Sequence, residues 1–300
     1  MKFIYNKIET WLNKNIKKFS FLLLFALFIF VSCQDQAPTE YVPNYVVQAL
    51  LIVNQPIQNI NVLLTQSLRD SFIVENQYVR DASIQIIGDD RVINLSLDPK
   101  TNNSYFDSDT TYKVKPNTQY KIQITLSNGK VITGQTYTPT PFNWINKAGK
   151  FLQYPKSLGT ADANKSKISW QKSDTTQIYL LSVIPLDTLN YGMYLTPPTD
   201  EKNERIITSF NKNQKYFFRE LSNWTFLPTT ETPVVMTIFK WYGYQEVNVY
   251  APDNNFLKWA LQMLVSRDLN PQLSTINGAF GYFGSAAMIR DTTFLLKYKE

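Results

Sequence analysis

The chain has 300 residues, 44% hydrophobic, 14% aromatic and only 18% charged, which describes a folding chain with apolar material for one large or two ordinary domains. It has no histidine and a single cysteine, which excludes Ser-His-Asp and Cys-His hydrolases, imidazole-ligated metal centres, CxxC redox sites and internal disulfides. Of the net charge of +6, the first 32 residues carry +4, five lysines against Glu9, and the +2 left over is too little for a nucleic-acid footprint.

Lys17 and Lys18 lead into a 13-residue largely apolar run from Phe19 to Val31, too short for a comfortable membrane span. It ends in Phe30-Val31-Ser32-Cys33, which resembles a bacterial lipobox, where the signal is cleaved before the cysteine and the thiol is acylated. A diacylglyceryl thioether with an amide-linked chain anchors firmly, whereas one acyl chain does not. Residues 1–32 are thus expected to be a lipoprotein signal peptide and Cys33 the lipidated residue. Residues 33–44 are polar, hold Pro38 and Pro43, and are expected to be a tether. Asp35, two residues after the cysteine, resembles the acidic export signal of surface lipoproteins, which favours display at the cell surface over the periplasmic face.

From Tyr45 short β-rich runs alternate with Asn, Asp, Gly and Pro clusters. The largely apolar run from Tyr45 to Val53 breaks at Gln55-Pro56 and is expected to pair with Ile60 to Thr65. Ala82 to Ile87 and Val92 to Leu97 alternate on either side of Gly88-Asp89-Asp90. Tyr120 to Leu126 has strict period two, and Asn128-Gly129 turns it into Val131 to Tyr137 as a hairpin. The expectation is mostly β, with an immunoglobulin- or fibronectin-like sandwich over residues 45–138.

Thr138-Pro139-Thr140-Pro141 is a stiff stretch and the expected boundary to a second β-rich domain over residues 139–300. There Lys167 to Trp170 leads to Gln177 to Val183, as in a sandwich whose early strand buries a Trp. Residues 187–228 have no clear order. Val234 to Phe239 and Gln245 to Tyr250 read as strands on either side of Trp241-Tyr242-Gly243-Tyr244. One helix is expected near 253–267, because Phe256, Trp259, Ala260, Met263 and Leu264 recur at helical spacing behind the cap candidates Asp253 and Asn254. A glycine-rich turn and a closing strand, Thr292 to Tyr298, complete the chain.

The layout resembles the Bacteroidota lipoprotein family known as domain of unknown function 4249. The resemblance lies in the lipobox, in Val46 to Val53 with its Asn54-Gln55-Pro56 break, in Val79 to Ile86, and in Pro116-Asn117-Thr118-Gln119-Tyr120-Lys121-Ile122-Gln123-Ile124, where Asn117 replaces the usual glycine. Ile276 to Gly284 looks like the family's closing motif. The resemblance implies a cell-envelope accessory role beside an outer-membrane β-barrel such as a TonB-dependent receptor. It supplies no catalytic residues. The expected function is therefore a non-enzymatic outer-membrane lipoprotein that is an accessory or binding subunit of a barrel complex. A stand-alone surface module for glycans or peptides is the alternative, and a carboxylate-based hydrolase a third class. No cofactor, metal or nucleic acid is expected.

The candidate site residues follow. Trp224, Trp241, Tyr242 and Tyr244 fall in loop-like segments and form the candidate interface, since Trp and Tyr dominate interface hot spots. Bacteroidota O-glycosylation acts on Asp-(Ser/Thr) followed by a small or aliphatic residue, which makes Thr110, Thr175 and Thr188 candidates, with Asp291-Thr292 the weakest match. Gly278, Gly281 and Gly284 cluster as a phosphate loop would, but read as a tight aromatic turn. Ser169-Trp170-Gln171-Lys172 matches SxxK, yet in a strand its Ser and Lys face opposite sides. Asp89-Asp90 and Asp107-Ser108-Asp109 are read as turn residues.

Overall fold

The computed structural model describes residues 41–67, 71, 73–155, 167–206, 225–265 and 271–298. The expected signal peptide, Cys33, most of the tether and Trp224 lie outside the described residues. The chain is mostly β, as expected. The first half supplies β1 (Tyr45–Ile52), β2 (Asn61–Leu64), β3 (Ser83–Gly88), β4 (Arg91–Leu97), β5 (Tyr105–Phe106), β6 (Gln119–Thr125) and β7 (Val131–Tyr137). The second supplies β8 (Trp144–Asn146), β9 (Phe151–Gln153), β10 (Lys167–Trp170), β11 (Tyr179–Pro185), β12 (Thr225–Leu227) and β13 (Glu231–Pro233). Then come β14 (Gly243–Pro252), helix α1 (Asn254–Val265), β15 (Ile276–Asn277) and the long β16 (Phe280–Leu296). No helix among the described residues is long and apolar enough to cross a membrane.

The hairpins form where local turn chemistry allows them. Asp89 and Asp90 have φ of 53° and 55°, the left-handed pair that a tight hairpin needs, and they join β3 to β4 with Ile86 opposite Ile93. Gly129 at φ 81° and Asn128, whose Oδ1 accepts the Lys130 amide at 3.0 Å, close β6 onto β7. Asn117 takes φ 49°, as its replacement of a glycine requires.

Three sheets result. A six-stranded sheet runs β15-β7-β6-β3-β4-β5, a three-stranded sheet β13-β10-β8, and a seven-stranded sheet β12-β11-β14-β16-β1-β2 with β9 also on β16. The first core lies between the six-stranded sheet and β1, β2 and the start of β16; Val47, Ile60, Ile86, Tyr120, Ile122 and Phe283 are among its members. A second core gathers Ile168 and Trp170 of the small sheet with Tyr179, Val249 and Phe294 of the large one. On the opposite face of the large sheet, Phe256 and Ala260 of α1 pack with Leu180, Tyr282 and Ala286.

Residues 43–300 form one compact unit, and the expected division at 138/139 is crossed twice. β1 runs parallel to β16, from Val46 opposite Phe280 to Ile52 opposite Ala286, and β15 pairs with β7. The first core includes Ile276 and Phe283 from the far end of the chain, so the two sandwich-like cores share one sheet and are not separate domains. The cause is visible in β1: its odd residues face the first core while Leu50 and Ile52 pack beside α1. A strand apolar on both faces needs cover on both.

Two smaller expectations also change. The apolar run Val234 to Phe239 is not a strand: β13 ends at Pro233, which has no amide hydrogen to extend a ladder, and a 3-10 turn follows at Met236–Ile238. Residues 276–284 are not one turn either. The chain turns at Gly278 (φ 86°) and is already strand from Phe280, so the closing strand begins well before Thr292.

Candidate functional site

Trp241 and Tyr242 are core residues, 5% and 7% exposed, which corrects their expected place on an interface. The reason is local. Gln245 near the start of β14 is fully buried, and its side-chain nitrogen donates to the carbonyls of Trp241 (2.8 Å), Tyr242 (3.2 Å) and Gly243 (3.2 Å). Those bonds fold the segment inward, and Gly243 at φ 82° permits the bend. Tyr242 then meets Tyr154 edge-on at 5.4 Å. Tyr244 is half-buried between Tyr194 and Phe294, each at 4.9 Å, so it too is spent on packing.

Beside this aromatic group Lys297 makes a clasp. Its Nζ donates to Glu201 at 2.7 Å and to the Lys202 carbonyl at 3.1 Å, and pairs with Glu204 at 3.1 Å. It also lies over the rings of Tyr191 (4.9 Å) and Tyr242 (5.9 Å). Burial alone would pull its pKa down, but the two carboxylates outweigh this and hold it raised. The clasp fastens residues 201–204 to the chain's last strand.

The modification candidates divide. Thr110 and Thr175 are exposed in loops, where an enzyme could reach them. Thr188 is only 6% exposed, which corrects that candidate. Asp187 builds the turn that buries it: its Oδ1 accepts the amides of Leu189 (2.8 Å) and Asn190 (3.2 Å), and its Oδ2 the Tyr194 hydroxyl (2.9 Å). Asp291 is paired with Lys147 at 3.3 Å.

The remaining motifs are structural. Asp107 is buried and accepts the Asp109 amide at 2.9 Å, while Asp109 accepts the Thr111 amide and hydroxyl. Among the described residues no group of three or more acidic, His or Cys side chains is placed to hold a metal. Ser169 lies in β10 and Lys172 beyond its end, with no helical turn between them to bring the amine to the hydroxyl. Gly281, at φ 100°, has the Val47 carbonyl where a side chain would begin, and Gly284 has α1 there. A cavity of about 220 Å3 opens in the second core between Leu181, Val183, Val247 and Phe239; its walls are mainly apolar.

One surface carries no expectation from sequence. On the outer face of the six-stranded sheet, Asn94, Gln85, Gln123, Thr133 and Asn277 stand opposite one another in a single row across five strands. The next row runs Val92, Ile87, Lys121, Gln135. A recess of about 570 Å3 lies over one end of these rows, at Gln123, Thr133 and Asn277 of the first and Ile87, Lys121 and Gln135 of the second, with Asn255 and Lys258 of α1 on one wall. Reading each strand only for its buried alternation hides this face; the complementary alternation, with amides in place of mixed charges, is the signal that marks it.

No family model and no curated protein matches the chain. A solved structure from work on host cell surface retention of a bacterial ice-binding adhesin aligns with 86% of this chain and 66% of its own, at 8% identity and a TM-score of 0.17. A similarity that low carries no argument about fold or function.

Proposed function

We propose that the protein is a non-enzymatic, lipid-anchored accessory or binding subunit that works beside an outer-membrane β-barrel, such as a TonB-dependent transporter, and is displayed at the cell surface. The observation that carries this reading is the placement of the only cysteine, Cys33, directly after Ser32 at the end of a basic and then apolar leader. The compact β body beginning at Pro43 is consistent with a folded cargo behind a tether, and its larger aromatic clusters serve packing. The resemblance to the lipoprotein family known as domain of unknown function 4249 supports the same role.

The test uses the full chain, wild type and Cys33→Ala, expressed in a Bacteroidota host with labelled palmitate. Label is expected in the wild type alone. Affinity capture from detergent-solubilised outer membranes should then bring down one barrel protein in constant proportion. Equal labelling of the variant rejects the anchor, and capture of the wild type alone rejects the subunit role.

A further inference from the structure

We infer that the outer face of the six-stranded sheet, with Lys258 of α1 at its margin, is a binding surface for an acidic polysaccharide: a chain of sugar rings bearing carboxylates. The inference does not depend on the anchor or on a barrel partner.

Shape comes first. The row Asn94–Gln85–Gln123–Thr133–Asn277 crosses five adjacent strands, which at the usual spacing between strands is about 19 Å long. The recess at its Gln123–Thr133–Asn277 end, about 570 Å3, is open to solvent, and the row continues beyond it to Gln85 and Asn94, an extended surface that suits a chain better than a compact ligand.

The chemistry of the row is that of hydroxyl recognition. Amide and hydroxyl side chains both donate and accept, which matches a partner made of neighbouring hydroxyls. Several of these groups are already oriented. Gln85 donates to Asn94 at 2.9 Å, Gln119 to Gln135 at 3.3 Å, and Asn255 fixes the β7 margin through the Gln135 carbonyl at 2.7 Å. A surface whose side chains are held before the ligand arrives loses less entropy on binding. Exposed apolar groups lie on the same face: Val92 is 58% exposed, Ile87 36%, and Tyr137 55%. These suit the carbon-hydrogen faces of sugar rings, and Tyr137 offers a ring for stacking.

Charge selects among sugars. The outward positions of β3, β4, β6 and β7 hold Lys121 and no Asp or Glu, and Lys258 faces the same recess. Of the acids that flank these strands, Asp89 and Asp90 belong to the β3–β4 turn and Asp98 follows β4; none of them lines the recess. A merely solvated strand face intersperses both signs; this recess is lined by two lysines and no acid on a nearly neutral body, which complements a polyanion.

The experiment titrates the full chain in detergent with oligogalacturonate and with hyaluronan fragments, and compares oligogalacturonate with its methyl ester, which keeps the hydroxyls and removes the charge. Saturable binding of a uronate is expected, weaker for the ester and weaker at high salt. Lys121→Ala combined with Lys258→Ala should reduce affinity about tenfold or more, the effect of losing charge-assisted hydrogen bonds. Gln123→Ala should reduce it about fivefold. Both variants should melt as the wild type does, and Cys33→Ala should bind as well as wild type, which keeps this result separate from the anchor. No saturable binding of either uronate, equal binding of the ester, or affinity unchanged in the variants overturns the inference.

Discussion

At Asp253 one carboxylate ties three elements together. Its Oδ1 accepts the Phe256 amide at 2.8 Å, which caps α1, and the Ser285 amide of β16 at 3.1 Å, while Oδ2 accepts the Thr136 hydroxyl of β7 at 2.6 Å. Burial pushes the acid's pKa above its ordinary 3.8, against the pull of Thr136 and the amides. A carboxyl raised in the folded state contributes most below its unfolded pKa, and the contribution is lost as pH rises through the folded one. Asp253→Asn keeps an acceptor for the cap and removes the charge, so its stability relative to wild type should increase from about pH 4 to about pH 7 in chemical denaturation. Asp253→Ala should instead cost about 1–3 kcal/mol, because the cap and the Thr136 partner are both lost. The buried aromatics give a second prediction. Trp241→Ala and Tyr242→Ala should each cost about 3–5 kcal/mol in the same measurement; a loss below about 1 kcal/mol would return them to the surface role their loop-like sequence suggests.

Among the elements, α1 and β16 depend on one residue without a side chain. A Cβ on Gly284 would lie 2.8 Å from the Phe256 Cβ and amide nitrogen, so the helix rests directly on the strand. Gly284→Val should push α1 away, cost about 1–3 kcal/mol, and remove hydrogen-exchange protection from the amides of residues 257–262 while β3–β4 keeps its own. The helix itself is legible in sequence, since Phe256, Trp259 and Ala260 repeat at helical spacing. So are the hairpins at Asp89-Asp90 and Asn128-Gly129, where the turn dictates the pairing. What sequence hides is set at a distance. Nothing near Val46 signals that its partner is Phe280, and nothing near Trp241 signals that Gln245 will draw it inward. The apolar run Val234 to Phe239 looks like a strand because hydrophobic content alone does not reveal that Pro233 ends the ladder. The outer-face row is the opposite case: every residue is visible, but only the registers of four pairings align Asn94 with Asn277.

For the whole molecule the shared sheet has consequences for both folding and pH response. Residues 43–140 alone lack β16, Ile276 and Phe283, which complete the first core, so that fragment should remain unfolded by circular dichroism and the intact body should unfold as one transition. The pH profile follows from the titratable groups. With no histidine in the chain, the body has no side-chain type whose ordinary pKa lies between those of the carboxylates and the tyrosines, and Asp253, raised by burial, marks the lower edge. At the upper edge, burial raises Tyr105, Tyr112, Tyr154, Tyr191, Tyr250 and Tyr282 above the ordinary 10.0, and pushes Tyr242 up to about 12. A tyrosine raised in this way contributes stability that is complete below its unfolded pKa and lost as pH climbs through the folded one. Stability should therefore be level from about pH 7 to about pH 9 and fall steadily above about pH 10. Tyr242→Phe should make that alkaline fall shallower, whatever it does to stability at neutral pH. Urea midpoints measured across the range decide it: a slope within the plateau, or an alkaline fall unchanged in Tyr242→Phe, would show that groups other than the buried phenols control the response.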